Sequence, residues 1–307
     1  MKNYLKLFVC LFISNIGFSQ TPLKIYKQNF SGTDKKIIIA SGSSNLIIEG
    51  ITGTEVIMES ERSESEFPAE AEGLKIVSVG AVDNTGMGAN VVIEGNTMKI
   101  KIPKSKYFGN FTLKIPKEIS ISIRESGNAY GKWQISGMKG EVEAETSYST
   151  MNIKNVSGPI VARSGYGKIY IVYDQLNQSK PNYISAIGAI DITLPADTKA
   201  NLKLQSNYAE VFTDFDIQPV KIDETKGKAM GEVNEVNGQN FAKIGTITPM
   251  AKTLTGVSDE SIWSRQMAWA DARKSSNDGA TIGVLNGGGV SLSIKSDHGN
   301  IYLRKKK

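Results

Sequence analysis

The sequence predicts an all-β protein: a single-domain β-solenoid in which strands of successive repeats stack, with an inserted segment that carries one short α-helix. Three observations predict this fold. Short β-rich runs alternate with Gly, Ser, Asn and Asp from about residue 35 to 215, and one strand unit recurs with a spacing of about 20 residues. Proline also closes several of these runs, and long helical periodicity is missing from this range.

The N-terminal residues have the layout of a secretory signal. Lys2 and Lys6 precede an unbroken apolar run, and small residues stand three and one positions before a cut after Ser19. This layout predicts an export signal over residues 1–19, and the apolar run is too short to cross a bilayer as a helix. We therefore expect an exported protein of the periplasm, outer surface or extracellular space, with no integral membrane span after cleavage.

Composition excludes several classes of function. Cys10 is the only cysteine and lies inside the predicted signal, so the mature chain has no disulfide, zinc–thiolate site or cysteine nucleophile. The formal charge of +5 is concentrated at the ends: Lys2 and Lys6 supply two charges, residues 304–307 supply four, and residues 20–303 sum to −1. A basic face for nucleic acid is therefore not expected.

An internal repeat organises residues 20–218, the predicted solenoid. Residues 140–153 can be laid on residues 158–171 without a gap, at an offset of 18 residues. The repeated unit is an aromatic residue, a small residue, any residue and an aliphatic residue. The first position of the unit is occupied by Tyr130, Tyr148, Tyr166, Ile187, Tyr208 and His298, with a weaker match at Ser44. Such a period with strand character predicts stacked coils, since one coil cannot bury its apolar face alone.

A second recurring element is aliphatic-x-aliphatic-Pro, which ends at Pro103, Pro116 and Pro195. Proline cannot donate a hydrogen bond to a strand ladder, so these residues are predicted to end strands at the corners of coils.

Residues 219–284 break the pattern and are predicted to be an insertion. An amphipathic helix is expected near residues 259–274, with Trp263 and Trp269 on its apolar face. This helix is expected either to cap an open end of the solenoid or to dock a partner. The repeat resumes over residues 285–307, which are predicted to form the final β coil and a basic tail.

The export signal, the proline corners, the aromatic-Gly-x-aliphatic units and the ending from Leu285 to Leu303 resemble the "putative-adhesin" family of exported bacterial β-strand-repeat domains, whose function is unknown. The resemblance covers most of residues 35–215 and 285–304. It implies a β-solenoid and an adhesin-like role. It implies no catalytic residue and no binding site to carry over, and the insertion is longer than expected for the family.

The candidate ligand-binding residues are aromatic. If the repeat units stack, their first positions form a column that either binds sugar rings or a partner strand, or covers the corner of each coil. The sequence favours the structural interpretation, because repeat proteins commonly form such ladders. The candidates are Tyr130, Tyr148, Tyr166 and Tyr208, with Trp263 on the predicted helix.

No metal, cofactor or catalytic residue is predicted. Asp214 and Asp216 share a strand face and Asp83 lies in a polar loop, but neither spacing is that of a calcium loop. Asp174 and Asp191 also lack a matched carboxylate partner of the kind that polysaccharide hydrolysis requires.

The sequence therefore predicts a non-catalytic, adhesin-like or structural binding protein of the bacterial cell envelope. Its expected partner is a cell-surface glycan or an envelope protein. Two alternatives stay open: a polysaccharide-active β-helix enzyme, because fold does not fix function, and an envelope scaffold or signalling partner.

Overall fold

The structure is a computed structural model that describes residues 23–32, 34–42, 45–62, 68–74, 77–78, 81–104, 108–126, 130–220 and 280–307. These residues form β-strands, turns and one short 3-10 turn at Ala69–Ala71, and no α-helix occurs among them. The prediction of an all-β protein is therefore confirmed.

Two large sheets and one small hairpin contain the described strands. In spatial order, the first sheet consists of β1 (Leu23–Asn29), β4 (Glu55–Arg62), β9 (Phe108–Pro116), β3 (Asn45–Ile51), β11 (Lys132–Ser136), β13 (Thr150–Val156), β15 (Ile169–Tyr173), β17 (Ile190–Leu194), β23 (Ile301–Lys305) and β19 (Val211–Thr213).

The second sheet consists of β20 (Gln218–Pro219), β21 (Ala280–Leu285), β18 (Ala200–Ser206), β22 (Val290–Ser296), β16 (Asn182–Ala186), β14 (Ile160–Ser164), β12 (Val142–Thr146), β10 (Ser120–Glu125), β2 (Lys36–Ser41), β8 (Thr97–Ile102) and β7 (Asn90–Glu94). The hairpin consists of β5 (Val77–Ser78) and β6 (Ala81–Val82).

Each repeat contributes one strand to the second sheet and the next strand to the first sheet. We call such a pair of consecutive strands a rung; for example, β14 and β15 form one rung. Equivalent strands of neighbouring rungs pair in parallel, so that Val142 lies opposite Ile160 and Met151 opposite Ile169. The pairing reproduces the gapless offset of 18 residues that the sequence predicted.

The spatial order of the rungs differs from their order along the chain at both ends. The rung of β2 and β3 lies between those of β8–β9 and β10–β11, and the rung of β22 and β23 lies between those of β16–β17 and β18–β19. The C-terminal strands were expected to supply the last coil. They instead occupy the rung before the last, because β18 and β19 pair on their outer side.

Two of the predicted proline corners have a common geometry. Pro116 ends β9 and Pro195 follows β17, where the chain crosses from the first sheet to the second. The carbonyl oxygen of Pro116 accepts a hydrogen bond from the Ile119 amide at 2.9 Å, and that of Pro195 accepts one from the Thr198 amide at 3.1 Å. Each proline therefore begins a tight turn between strands, as its missing N–H and fixed φ favour.

One hydrophobic core is shared by both sheets. Alternate residues of each strand point inward, as in the buried-exposed alternation of β15, where Ile169 and Ile171 are fully buried and Tyr170 is exposed. Full burial of such an aliphatic side chain stabilises the fold by about 1.5–3 kcal/mol. The inward residues of all rungs form one cluster between the two sheets. The core therefore depends on neighbouring rungs.

Several predictions fall on residues that the structure does not describe. The signal over residues 1–19, the helix near residues 259–274 with Trp263, and residues 221–279 of the insertion lie outside the described residues. Part of the predicted insertion is a strand, because β21 pairs with both β18 and β20. None of the helices within the described part of the chain has the length and hydropathy needed to cross a membrane.

Candidate functional site

The predicted aromatic residues form a column at the turn from the second sheet to the first. Each one follows a strand of the second sheet and precedes the first-sheet strand of the same rung. The main-chain hydrogen bonds between these turns fix the order of the positions. We call these six positions the corner column; in spatial order they are Tyr130, Tyr148, Tyr166, Ile187, His298 and Tyr208.

The rings of the corner column stack on one another along two stretches. Tyr148 lies between Tyr130, whose ring is tilted by 35° at a centroid distance of 4.7 Å, and Tyr166, whose ring stacks at 5.3 Å with an interplanar angle of 10°. Tyr208 stacks on His298 at 4.9 Å and 23°. The contacts bring Tyr130, Tyr148 and Tyr166 together and place Tyr208 beside His298, and each such aromatic pair contributes about 0.5–1.5 kcal/mol beyond its buried area.

Stacking leaves much of the column open to solvent. Tyr130, Tyr166 and Tyr208 are 70%, 66% and 78% exposed, whereas Tyr148 is partly buried. Rings that served only to cover the corner of a coil would lose more of their surface to the core. The column therefore combines a structural contact between rungs with an accessible aromatic edge.

Small residues after each ring allow the turns to approach closely. Gly167 follows Tyr166, and a Cβ atom added there would overlap with the carbonyl oxygen of Ser149 in the neighbouring rung. A Cβ atom on Gly188 would lie 2.8 Å from the carbonyl oxygen of Gly167. The small position of the repeat is thus required by main-chain contact between rungs.

A second line of outward-facing side chains runs beside the column, four residues further along each repeat. Sequence reasoning missed this line. Tyr170, Asp191, Tyr302 and Phe212 lie on adjacent first-sheet strands in direct register, and the rings of Phe212 and Tyr302 stack at 5.4 Å and 14°. We call these four residues the face row; Asn152 and Gln134 continue its register on β13 and β11.

Asp191, the one polar member of the face row, is held in place by an ion pair. The Arg304 Nε atom donates to the Asp191 carboxylate at 3.0 Å, and this hydrogen bond raises the pKa of Arg304. The Arg304 guanidinium also lies 5.0 Å from the centre of the Tyr302 ring, within the range of a cation–π contact. The result is an aromatic surface with a fixed acid–base pair at its centre.

The carboxylates that could have supported metal or hydrolytic chemistry have other partners. The Asp83 carboxylate accepts hydrogen bonds from the amides of Thr85, Gly86 and Gly88 at 2.8–2.9 Å and so closes its own loop. Asp214 accepts a hydrogen bond from the Lys305 amide at 2.8 Å. Within the described residues, no three His, Cys, Asp or Glu side chains are grouped so that they could hold a metal ion.

The exposed large apolar side chains of the described residues fall into two groups. The aromatic group lies on the corner column and the face row. The aliphatic group lies on or near the strands that begin the described part of the chain, and consists of Leu23, Ile25, Leu74, Val77, Val82, Val92 and Ile93. Among the described residues, the most exposed aromatic side chains therefore lie on the corner column and the face row.

No protein-family model and no curated protein matches the chain, so the resemblance noted in the sequence stays a prediction. Two solved structures are similar to it. One is a "putative cell adhesion protein" from Clostridium sporogenes, with 12% identity over 94% of this chain and 100% of that chain and a TM-score of 0.41. The other is a "putative adhesin" from Bacteroides fragilis, with 12% identity over 94% of this chain and 98% of that chain and a TM-score of 0.33. Neither likeness assigns a role to a residue of this chain.

Proposed function

We propose that the chain is an exported, non-catalytic binding protein of the adhesin type, in which a β-solenoid presents an aromatic surface to a polysaccharide of the cell envelope. One observation carries the proposal: every large aromatic side chain that is exposed among the described residues lies on the corner column or the face row. An exposed aromatic cluster of this kind is the usual sign of an interaction site, whereas single exposed apolar residues are not.

The chemistry of the surface supports a glycan as the ligand. The rings of Tyr170, Tyr302 and Phe212 offer apolar faces and edges, and Asp191 and Arg304 supply an acceptor and donors between them. Asn152 and Gln134 extend the line with amide groups, which both donate and accept. Aromatic rings beside polar groups that donate and accept hydrogen bonds suit a ligand whose residues carry C–H faces and hydroxyls.

Repetition supports a long ligand. Equivalent positions recur at each rung, and neighbouring strands lie about 4.7–4.9 Å apart. A polymer lying across the rungs would meet the same kinds of group several times, and multiple weak contacts of this type combine into a strong attachment.

The experiment compares two variants of the purified protein on a glycan array, one with three substitutions and one with two. Replacing Tyr170, Tyr302 and Phe212 by Ser removes the three aromatic members of the face row. Replacing Val92 and Ile93 by Ser removes exposed apolar surface from β7, at the opposite end of the sheets. We expect the first variant to lose glycan retention at least tenfold and the second to bind like the unaltered protein, with similar thermal midpoints for both.

Other outcomes would replace the proposal. Equal retention by both variants would remove the face row from the binding surface. Release of shortened polysaccharide by the unaltered protein would favour the enzyme, and capture of one defined envelope protein with no glycan retained would favour the scaffold.

A further inference from the structure

The corner column is interrupted at one rung. Ile187 occupies the aromatic position there, its amide donates to the carbonyl oxygen of Gly165 at 3.0 Å, and its own carbonyl oxygen accepts from the His298 amide at 3.0 Å. These hydrogen bonds place the Ile187 turn between the turns of Tyr166 and His298. The two aromatic stacks are therefore separated by one aliphatic side chain.

Each ring beside the interruption has one ring face occupied. Tyr166 stacks on Tyr148 on the side away from Ile187, and His298 stacks on Tyr208 on the side away from Ile187. The opposite faces of Tyr166 and His298 are therefore directed toward the Ile187 rung. Because an isoleucine side chain is shorter than either aromatic side chain, these two faces bound a slot beyond the tip of Ile187.

The width of the slot follows from strand geometry. Two inter-strand spacings of about 4.8 Å separate the positions of Tyr166 and His298 by about 9.6 Å. A planar ring in van der Waals contact with both faces would need only about 7–8 Å, since carbon atoms pack at about 3.5–4.0 Å. A saturated six-membered ring in its chair form is thicker, because it carries axial atoms on both faces, and so fits the slot better than an aromatic ring.

The groups around the slot match a sugar. Aromatic faces are electron-rich and attract the weakly positive C–H groups of a pyranose. Lys168 is exposed two residues after Tyr166, on the same rung. Its ammonium group can donate hydrogen bonds to the hydroxyls of a ring in the slot.

We infer that this slot binds one pyranose ring of a glycan chain, held between the faces of Tyr166 and His298 above Ile187. The hydroxyls of that ring accept hydrogen bonds from Lys168. The inference rests on the proposed function and deepens it, because it names the one rung at which a sugar ring is inserted rather than laid against the surface.

The test fills the slot without removing a ring. Ile187→Tyr completes the column, so an open aromatic surface alone would bind glycans as well as before or better, whereas an insertion slot would be blocked. His298→Ala removes one wall of the slot at an exposed position. It tests the slot if the Ile187→Tyr variant does not fold. Val92→Tyr is the matched control, because it makes the same kind of aliphatic-to-tyrosine change at an exposed position of β7, at the other end of the second sheet and away from the corner column.

The measurement is calorimetric titration of the purified protein with hexasaccharides of β-1,4-linked glucose, β-1,4-linked N-acetylglucosamine and α-1,4-linked glucose. We expect at least one of them to bind, with an affinity at least tenfold weaker for Ile187→Tyr and His298→Ala and changed less than threefold for Val92→Tyr. Binding of all three variants like the unaltered protein would overturn the slot and leave the proposed function intact. Failure of the unaltered protein to bind any of the three would overturn the pyranose ligand.

Discussion

The ring of Tyr148 lies parallel to that of Tyr166, with their centroids 5.3 Å apart, although 18 residues separate them in the chain. Tyr148 also contacts Tyr130 on its other face. It is therefore the one residue of this stack with a ring on both sides, and its role in stability can be separated from that of the rings at the ends.

Tyr148→Ala is expected to lower the free energy of unfolding by about 2 kcal/mol, because two stacking contacts of about 0.5–1.5 kcal/mol each are lost. Tyr130→Ala removes one contact from a ring that is 70% exposed, and its expected effect is about 1 kcal/mol or less. Urea denaturation measures both. Equal effects of the two substitutions would show that the second ring contact of Tyr148 adds nothing to stability.

Gly167→Ala is expected to destabilise the protein by roughly 1–3 kcal/mol, because the new methyl group would overlap with the Ser149 carbonyl oxygen and force neighbouring rungs apart. Ala209 occupies the same repeat position on the terminal rung and already has a Cβ atom. Ala209→Ser is therefore the control, with an expected change within about 0.5 kcal/mol. Chemical denaturation compares the variants, and a Gly167→Ala variant as stable as the control would contradict the close approach.

Lys36→Ala is expected to cost about 3 kcal/mol of stability. The Lys36 ammonium lies 3.0 Å from the carboxylate of Glu143, whose side chain is only 1% exposed, so the substitution leaves a buried charge without its partner. Lys99→Ala breaks an ion pair of similar length with Glu94 at the surface and should change stability by less than about 1 kcal/mol. Guanidinium denaturation measures the stability of both variants, and equal losses of stability would contradict the expectation.

Stability is expected to fall above pH 10, and Tyr173 is one cause. Burial raises the pKa of Tyr173, whose hydroxyl donates to Asn182 at 3.1 Å. The folded protein keeps this phenol neutral while the unfolded chain ionises it above about pH 10, so its contribution is complete below that pH and decreases by up to about 1.4 kcal/mol per pH unit above it.

Tyr173→Phe separates this effect from general alkaline unfolding. The variant should lose about 1 kcal/mol at pH 7, because the hydrogen bond to Asn182 is removed, and should show a shallower decrease between pH 10 and 11. Urea midpoints across that range give both quantities. An unchanged slope would exclude Tyr173 as a source of the alkaline loss.

The register of the repeats could be predicted from sequence, but the order of the rungs could not. The overlay that matched Val142 with Ile160 is the observed pairing, and a shift by one residue is excluded because it would turn every inward side chain outward. By contrast, the unit at His298 fits next to any rung, since every rung offers the same pattern. Its place between Ile187 and Tyr208 requires the chain to close a long loop. The entropic cost of closing a loop changes only slowly with the length of the loop.

The candidate site was predicted in part for a related reason. The repeat unit itself contains the column, so Tyr130 and Tyr166 were found from its period. The face row follows the unit by four residues and is aromatic only on the rungs of β15, β23 and β19, so it does not recur often enough to stand out. Tyr170 and Tyr302 fall at equivalent positions when the repeats are aligned past the aromatic-small-x-aliphatic unit.

The placement of β23 determines how the molecule would respond to a mechanical load. β23 pairs with β17 on one side and with β19 on the other, so it has no free edge along the residues that both neighbours cover. A pull on the chain from Lys305 along β23 loads the hydrogen bonds to both neighbours in shear, and they must break together rather than one after another. An edge strand pulled in the same direction would be held by one ladder of hydrogen bonds instead of two. A binding protein held under tension at this end would therefore keep the rung that supplies His298 and Tyr302 intact until the whole strand slides.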